Sequence, residues 1–155
     1  MMRLRAIKVV AGLGAALAAG PVWADSSPFV GRWHWNPAQS TVPPGESAPG
    51  DLTTEFARLD RNHLTWSVML VTPHGRYADT FDVPADGEFY PLSSDTTAAV
   101  RLTGDALRAT FEGPTGQSDA VACTVSANAK VMTCRGVLND GNGRTATYVD
   151  VYDRI

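Results

Sequence analysis

Histidine, cysteine and serine are the residue types in this sequence whose spacing is most informative about chemistry. The histidines, His34, His63 and His74, show neither the His-x-His nor the His-x-x-x-His spacing that would place two of them on one metal ion. The Gly-x-Ser-x-Gly motif of serine hydrolases is absent, and no glycine-rich loop precedes a helix to bind a nucleotide. We therefore predict no metal site, no cofactor and no catalytic residue, and hence a protein that is not an enzyme. We expect His63 and His74 in solvated turns and His34 on the outer face beside Trp33.

The two cysteines, Cys123 and Cys134, favour a disulfide over two buried free thiols, because an even cysteine count is usual in exported chains. If residues 127–130 form a loop, the two cysteines lie directly opposite each other on adjacent antiparallel strands, close enough for a disulfide. Redox catalysis would need a Cys-x-x-Cys motif or a lone activated thiol, and the sequence has neither. We expect this pair to be a structural staple.

Asp79 has the most unusual predicted position of the polar residues, because it alternates with Tyr77 and Phe81 on the inward face of a strand. An unpaired inward carboxylate is costly. Asp79 would either recognise a polar group on a ligand, or reach solvent through a bulge or pair with Arg58. We favour the structural explanation, because one-residue register errors are common. The candidate ligand-binding residues are this carboxylate and the inward aromatic side chains, namely Phe56, Trp66, Tyr77, Asp79, Phe81 and Phe111.

Short strands must position these residues, because apolar and polar side chains alternate through most of the chain. Turn signals such as Gly104-Asp105 separate the strands. We predict eight strands. Two form the cysteine hairpin, and the other six span 52–58, 64–71, 76–83, 97–103, 106–112 and 145–153.

The predicted fold class is all-β, an antiparallel eight-stranded up-and-down barrel. Links of hairpin length favour a barrel over a sandwich with crossovers. Closure would also remove two sheet edges that invite aggregation. Residues 29–35 serve as a short entry segment and 89–91 as a connecting piece. An eight-stranded barrel is either filled by its own side chains or holds one small ligand, and both alternatives stay open.

Residues 1–24 have the pattern of a signal peptide. Arg3, Arg5 and Lys8 precede an apolar stretch, and Val22-Trp23-Ala24 offers a cleavage site. A transmembrane anchor is the rival explanation, but the apolar run is short and is broken by Gly20-Pro21. We predict a periplasmic or secreted single domain of residues 25–155 without a membrane anchor after cleavage. The signal holds three of the 13 Lys and Arg and none of the 16 Asp and Glu, leaving ten against 16 and a net charge of −6. Such an acidic domain is not expected to bind nucleic acid.

A proline-rich segment, residues 41–50, offers an alternative function. Pro43, Pro44 and Pro49 make it stiff, and we expect it to lie across one end of the structure. With Tyr148 and Tyr152 expected on the outer face of the last strand, opposite an inner Val149 and Val151, it could dock a partner.

Three segments spread over the mature chain resemble a known group of proteins. Gly31-x-Trp33-x-x-Asn36 at the start, Asp86-Gly-Glu-Phe-Tyr-Pro91 in the middle and Val149-Asp-Val-Tyr-Asp-Arg154 at the end carry the likeness. The chain resembles exported bacterial proteins of uncharacterised function with a lipocalin-like barrel. This resemblance implies that Trp33, which follows Gly31, plugs one end of the barrel with Arg154 stacked on it.

We therefore predict a monomeric, exported, lipocalin-like barrel that binds a small apolar or amphipathic molecule without catalysis. The alternative is an envelope interaction module, or an inhibitor of a secreted hydrolase, acting through residues 41–50.

Overall fold

The computed structural model describes residues 27–155, and the predicted signal peptide, residues 1–24, lies outside the described residues. Within residues 27–155 the secondary structure consists of strands and one turn of 3-10 helix, Pro114–Gly116. Ten strands occur in the described chain: β1 (Gly31–Trp35), β2 (Asp51–Leu59), β3 (His63–Thr72), β4 (Gly75–Pro84), β5 (Asp86–Pro91), β6 (Thr97–Thr103), β7 (Ala106–Glu112), β8 (Gln117–Val125), β9 (Val131–Asp140) and β10 (Thr145–Arg154).

All ten strands belong to one antiparallel sheet, in the order β4-β3-β2-β1-β10-β9-β8-β7-β6-β5. Strand β1 pairs with both β2 and β10, so the first and last strands of the chain are neighbours within the sheet. Strands β4 and β5 approach each other without pairing, which leaves a narrow gap in a near-closed barrel. The prediction of an all-β, antiparallel, up-and-down barrel is confirmed.

The β4 edge of the sheet carries charged side chains, namely Arg76, Asp79 and Asp82. Charges at a sheet edge discourage pairing with another chain.

The predicted number of eight strands is wrong, because the structure has ten. The additional strands are β1 and β5, whose residues were predicted to be an entry segment and a connecting piece. They are only five and six residues long. The pairing of β5 with β6 also shifts register between Asp86 and Phe89, around Gly87 with its φ of +90°. Alternation over so few residues does not distinguish a strand from a loop.

The prediction of which residues of the last strand face the interior is also wrong, by one residue. Tyr148, Asp150 and Tyr152 line the barrel interior, while Val149 and Val151 lie on the opposite face. Val151 is nevertheless buried, and its backbone is hydrogen-bonded to Asn36 and Ser40 in the segment that follows β1. Apolar residues on the outer face therefore gave the strand a misleading pattern.

The disulfide between Cys123 and Cys134 is confirmed. The two residues face each other on β8 and β9, with their Cα atoms 4.0 Å apart. The turn that joins these strands is closed by a hydrogen bond from the Ser126 amide to the Val131 carbonyl. The disulfide therefore fastens two neighbouring strands close to the turn that joins them.

Removing the disulfide should lower the stability of the barrel. We expect the double variant Cys123→Ala, Cys134→Ala to lose about 2–3 kcal/mol of unfolding free energy, because a loop of sequence separation 11 is no longer closed in the unfolded chain. Urea unfolding followed by circular dichroism measures the loss, with the oxidised parent protein as control. Equal midpoints for the two proteins would contradict the expectation.

Trp33 and Arg154 meet at the end of the barrel where β1 begins and β10 ends. Trp33 is completely buried, and its indole N–H donates to the Phe29 carbonyl at 2.7 Å. The Arg154 guanidinium lies over the indole ring, 4.1 Å from its centroid, and donates to the carbonyls of Val30, Pro28 and Ala129. We infer that these side chains close this end of the barrel.

Gly31 is the glycine that this arrangement requires. It has a φ of +134°, and a Cβ atom there would collide with Nη1 of Arg154. Gly75 has a similar φ of +142° but open space around it. Both positions carry the strain that an alanine meets at such a φ, and only Gly31 carries the collision.

We expect Gly31→Ala to cost about 2 kcal/mol more than the matched control Gly75→Ala, because Arg154 must leave its charge-assisted hydrogen bonds. Urea unfolding gives the two free energies, and near-ultraviolet circular dichroism reports on the setting of Trp33. Equal costs for the two substitutions would show that Arg154 adjusts freely.

Candidate functional site

The interior of the barrel is hollow. It holds a cavity of about 260 Å³ whose wall is largely apolar, including Leu64, Val68, Val100, Leu107, Val121 and Met132. The Cys123–Cys134 disulfide is also part of this wall. The inner face of the sheet supplies these side chains because alternate residues of each strand point the same way.

Aromatic rings form one side of the cavity. The Trp66 ring lies 4.7 Å from the Phe81 ring and 6.2 Å from the Phe111 ring, centroid to centroid. Phe56 stands opposite Trp66 on the neighbouring strand and meets Phe29 edge-on at 6.3 Å. Such separations are favourable for aromatic pairs. Of these rings, those of Phe56, Trp66 and Phe111 line the cavity and offer flat apolar surface to a bound molecule.

The wall becomes polar towards the open end, away from Trp33. The Tyr148 hydroxyl lies 2.9 and 2.8 Å from the two carboxylate oxygens of Asp119, to which it donates. The Trp35 indole N–H donates to Asp150 at 2.8 Å. Asp119, Tyr148 and Asp150 all line the cavity, as does Tyr152 deeper inside. The site therefore combines an apolar chamber with hydroxyl and carboxyl groups on one side.

Gly136 makes the contact between Tyr148 and Asp119 possible. Tyr148 on β10 faces Gly136 on β9, and Asp119 belongs to β8, one strand further along. A Cβ atom at Gly136 would overlap the Tyr148 ring. The ring therefore crosses β9 where that strand has no side chain, and its hydroxyl reaches the carboxylate beyond it.

Burial makes these groups harder to ionise. It raises the pKa of Asp119, although the hydrogen bond from Tyr148 opposes the rise. It likewise raises the pKa of Asp150, against the hydrogen bond from Trp35. Burial and the nearby carboxylates raise the pKa values of Tyr148 and Tyr152 far above the ordinary range. The two tyrosines therefore keep their hydroxyl protons at every physiological pH.

The proline-rich segment borders the open end of the barrel. Its Val42, Pro43 and Glu46 share a second cavity, of about 270 Å³, with Asp119 and Tyr148. Thr41 anchors the segment by exchanging two backbone hydrogen bonds with Val149, at 2.7 and 3.1 Å. A molecule entering the chamber from this end would pass beneath residues 42–49. Tyr148 and Tyr152, which the sequence analysis placed on the outer face as docking anchors, line the interior instead.

The structure brings together part of the predicted ligand-binding set. Phe56, Trp66 and Phe111 line the cavity, and Phe81 packs behind Trp66. Tyr77 and Asp79 do not reach the cavity: Tyr77 is 55% exposed, and its hydroxyl donates to Asp79 at 3.1 Å.

The exposure of Asp79 comes from its place at the sheet edge and not from a bulge. Asp79 pairs regularly with Val68, so it lies on the expected inner face. However, β4 has no partner strand on its other side, and its first half is open to solvent. Arg58, the other suggested partner, pairs with Asp60 at 2.8 Å.

Sequence reasoning missed the polar residues of the site, although a signal for them was present. Val121 and Cys123 were placed inward, and the same alternation puts Asp119 inward. On the last strand the wrong phase hid Tyr148, Asp150 and Tyr152. A glycine inside a strand, Gly136, marked the close approach of a neighbouring side chain.

The histidines lie away from the cavity. His34 is on the outer face and contacts Asp51 at 2.8 Å, and His63, at the start of β3, contacts Asp82. Within residues 27–155, no three His, Cys, Asp or Glu side chains are grouped so as to hold a metal ion. No helix within the same residues is long and apolar enough to cross a membrane.

Strand order and a near-closed wall define an antiparallel up-and-down barrel of ten strands. In fold, the chain is similar to secretory abundant heat soluble protein 4 from Ramazzottius varieornatus. The TM-score is 0.56 with 14% identity, over 83% of this chain and 96% of that one. The siderocalin Ex-FABP is a weaker match, with a TM-score of 0.43 and 14% identity over 83% of this chain and 75% of that one. No family model and no curated protein matches the sequence.

The buried carboxyl of Asp119 should destabilise the fold at neutral pH. The pKa of Asp119 is higher in the folded than in the unfolded chain, so ionisation of this side chain favours the unfolded state. Below the ordinary pKa of about 3.9 the carboxyl is neutral in both states and folding is not penalised. The penalty grows above that pH and is complete once the pH has passed the raised pKa of the folded state. We expect Asp119→Asn to raise the melting temperature by a few degrees at neutral pH. The difference from the parent protein should vanish near pH 3, where both forms are neutral.

Asp82→Asn is the matched control for this measurement. Hydrogen bonds from Thr65 and His63 lower the pKa of Asp82, so neutralising that exposed residue should lower the melting temperature at neutral pH. Thermal unfolding across a pH series measures both variants. A lower melting temperature for Asp119→Asn at neutral pH would show that the bond from Tyr148 outweighs the cost of burial.

Proposed function

We propose that the protein is an exported lipocalin-like barrel that binds one small amphipathic molecule in its interior, without catalysis and as a monomer. The observation that carries the proposal is the cavity of about 260 Å³, which is apolar over most of its wall and polar towards its open end. Location in the periplasm or outside the cell rests on the N-terminal sequence pattern and is supported by the disulfide.

The volume of the cavity sets the size of the ligand. A dry apolar cavity of about 150 Å³ holds benzene, and pockets for drug-sized molecules begin at about 300 Å³. A chamber of 260 Å³ thus suits a molecule somewhat larger than a single aromatic ring. Its apolar part would lie against Trp66 and Phe111, and its polar group would reach Asp119 and Tyr148.

Filling the cavity should abolish binding. Ala109 lines the cavity on β7, whereas Ala120 on β8 is exposed on the outer face. We expect Ala109→Phe to weaken the binding of phenethyl alcohol at least about tenfold, because the added ring occupies the ligand's volume. Ala120→Phe, its matched control, should bind like the parent protein. The chemical shift of the Trp66 indole N–H reports the titration, and far-ultraviolet circular dichroism verifies folding.

Two results would contradict the proposal. One is the absence of any shift at Trp66 on titration of the parent protein. The other is equal affinity in the parent protein and the folded Ala109→Phe variant, which would place the ligand elsewhere.

A further inference from the structure

Two carboxyl groups without a basic partner lie at the polar side of the cavity. Asp119 and Asp150 both line it, and none of the ion pairs formed within residues 27–155 includes either of them. Their side-chain hydrogen-bond partners are neutral donors, the Tyr148 hydroxyl and the Trp35 indole. Buried carboxylates in proteins are normally paired with a cation. Among residues 27–155, the side chains that line the cavity include two acids and no base.

Tyr152 is a second, independent sign of a ligand at this place. Its side chain is only 9% exposed and lines the same cavity. Within the described chain the Tyr152 hydroxyl has no hydrogen-bond partner, and it lies within electrostatic range of the Asp150 and Asp119 carboxylates. The hydroxyl oxygen itself is not among the fully buried atoms, so it faces the cavity, where a bound polar group can hydrogen-bond to it.

Charged groups on the neighbouring elements also favour a cation. Glu46, on the segment that borders the open end, lines the second cavity with Asp119 and Asp150. In an outer groove next to Asp119, Arg144 is accompanied by Asp140 and Glu46. Acidic groups therefore outnumber basic ones along the approach, in a domain of net negative charge, and such a field attracts cations.

We propose that the natural ligand of the cavity is a small amine in its ammonium form, with an aromatic or aliphatic tail. Its N–H groups donate to the carboxylates of Asp119 and Asp150 and to the oxygen of Tyr152. The tail lies against the Trp66 and Phe111 rings. The Tyr148 ring adds a π-face to which a cation is attracted. This inference rests on the proposed function, because it assigns the head group of the molecule that the chamber would hold.

Three probes with one carbon skeleton test the head group: phenethylamine, phenethyl alcohol and phenylacetate, which are cationic, neutral and anionic at neutral pH. Isothermal titration calorimetry of the intact protein gives their affinities. We expect the amine to bind at least about tenfold more tightly than the alcohol, because charge-assisted hydrogen bonds are the stronger ones. Phenylacetate should bind more weakly than either.

Neutral variants assign the preference to these carboxylates. In Asp150→Asn and in Asp119→Asn the ratio of the amine's affinity to the alcohol's affinity should fall about tenfold, because each substitution removes a negative charge that only the amine exploits. Asp105→Asn, on the exposed β6–β7 turn at the closed end, should keep the full advantage.

The outcomes separate this inference from the proposed function. Equal affinities for all three probes, or tightest binding of phenylacetate by protonated carboxyls, would overturn the amine assignment and leave the binding barrel standing. An amine preference that survives both neutral variants would also overturn it. Failure of all three probes to bind would overturn both proposals.

Discussion

The contact between Arg154 and Trp33 is the constraint on which the rest of the barrel depends, because it joins the last strand to the first. A guanidinium over an indole contributes about 0.5–2 kcal/mol, depending on how far it is desolvated. Here the same guanidinium also donates to carbonyls before β1 and in the β8–β9 turn. Gly31 leaves the space in which it lies. With this end occupied, the remaining interior can be a chamber with one open end, and the polar groups lie on the side where a guest would enter.

Under the proposed function, the interior of this barrel is a compromise between stability and recognition. An inner wall made only of Leu, Val and Phe would avoid the cost of burying Asp119 and Asp150, but it would leave a ligand's polar group without partners. Gly136 and Tyr148 show how this is achieved. Because Gly136 has no side chain, the Tyr148 ring can cross β9 and its hydroxyl can reach Asp119. The carboxyl groups whose burial destabilises the empty protein are then the groups that a ligand with a complementary polar group would stabilise most.

Period-two alternation was sufficient to predict the barrel class and the pairing of Cys123 with Cys134, because both depend on local pattern. It failed where the environment of a strand is decided by distant parts of the chain. Val149 and Val151 are apolar on an outer face that the segment after β1 adjoins, so the phase of β10 was misjudged. Asp79 has the expected register but lies at a sheet edge that no local pattern reveals. The short strands β1 and β5 offered too few residues for a period to be recognised.

The unpaired meeting of β4 and β5 also affects how the protein can move. A fully laddered wall can widen only by breaking backbone hydrogen bonds, whereas this one can part along a seam that has none. Trp66 and Phe81 lie on β3 and β4, close to that seam, so an outward swing of β4 would enlarge the chamber from its aromatic side. The volume of the cavity at rest is thus a lower bound on the volume of a molecule that the protein can admit. Amide hydrogen exchange should be fastest along β4 and β5, the strands on either side of the seam.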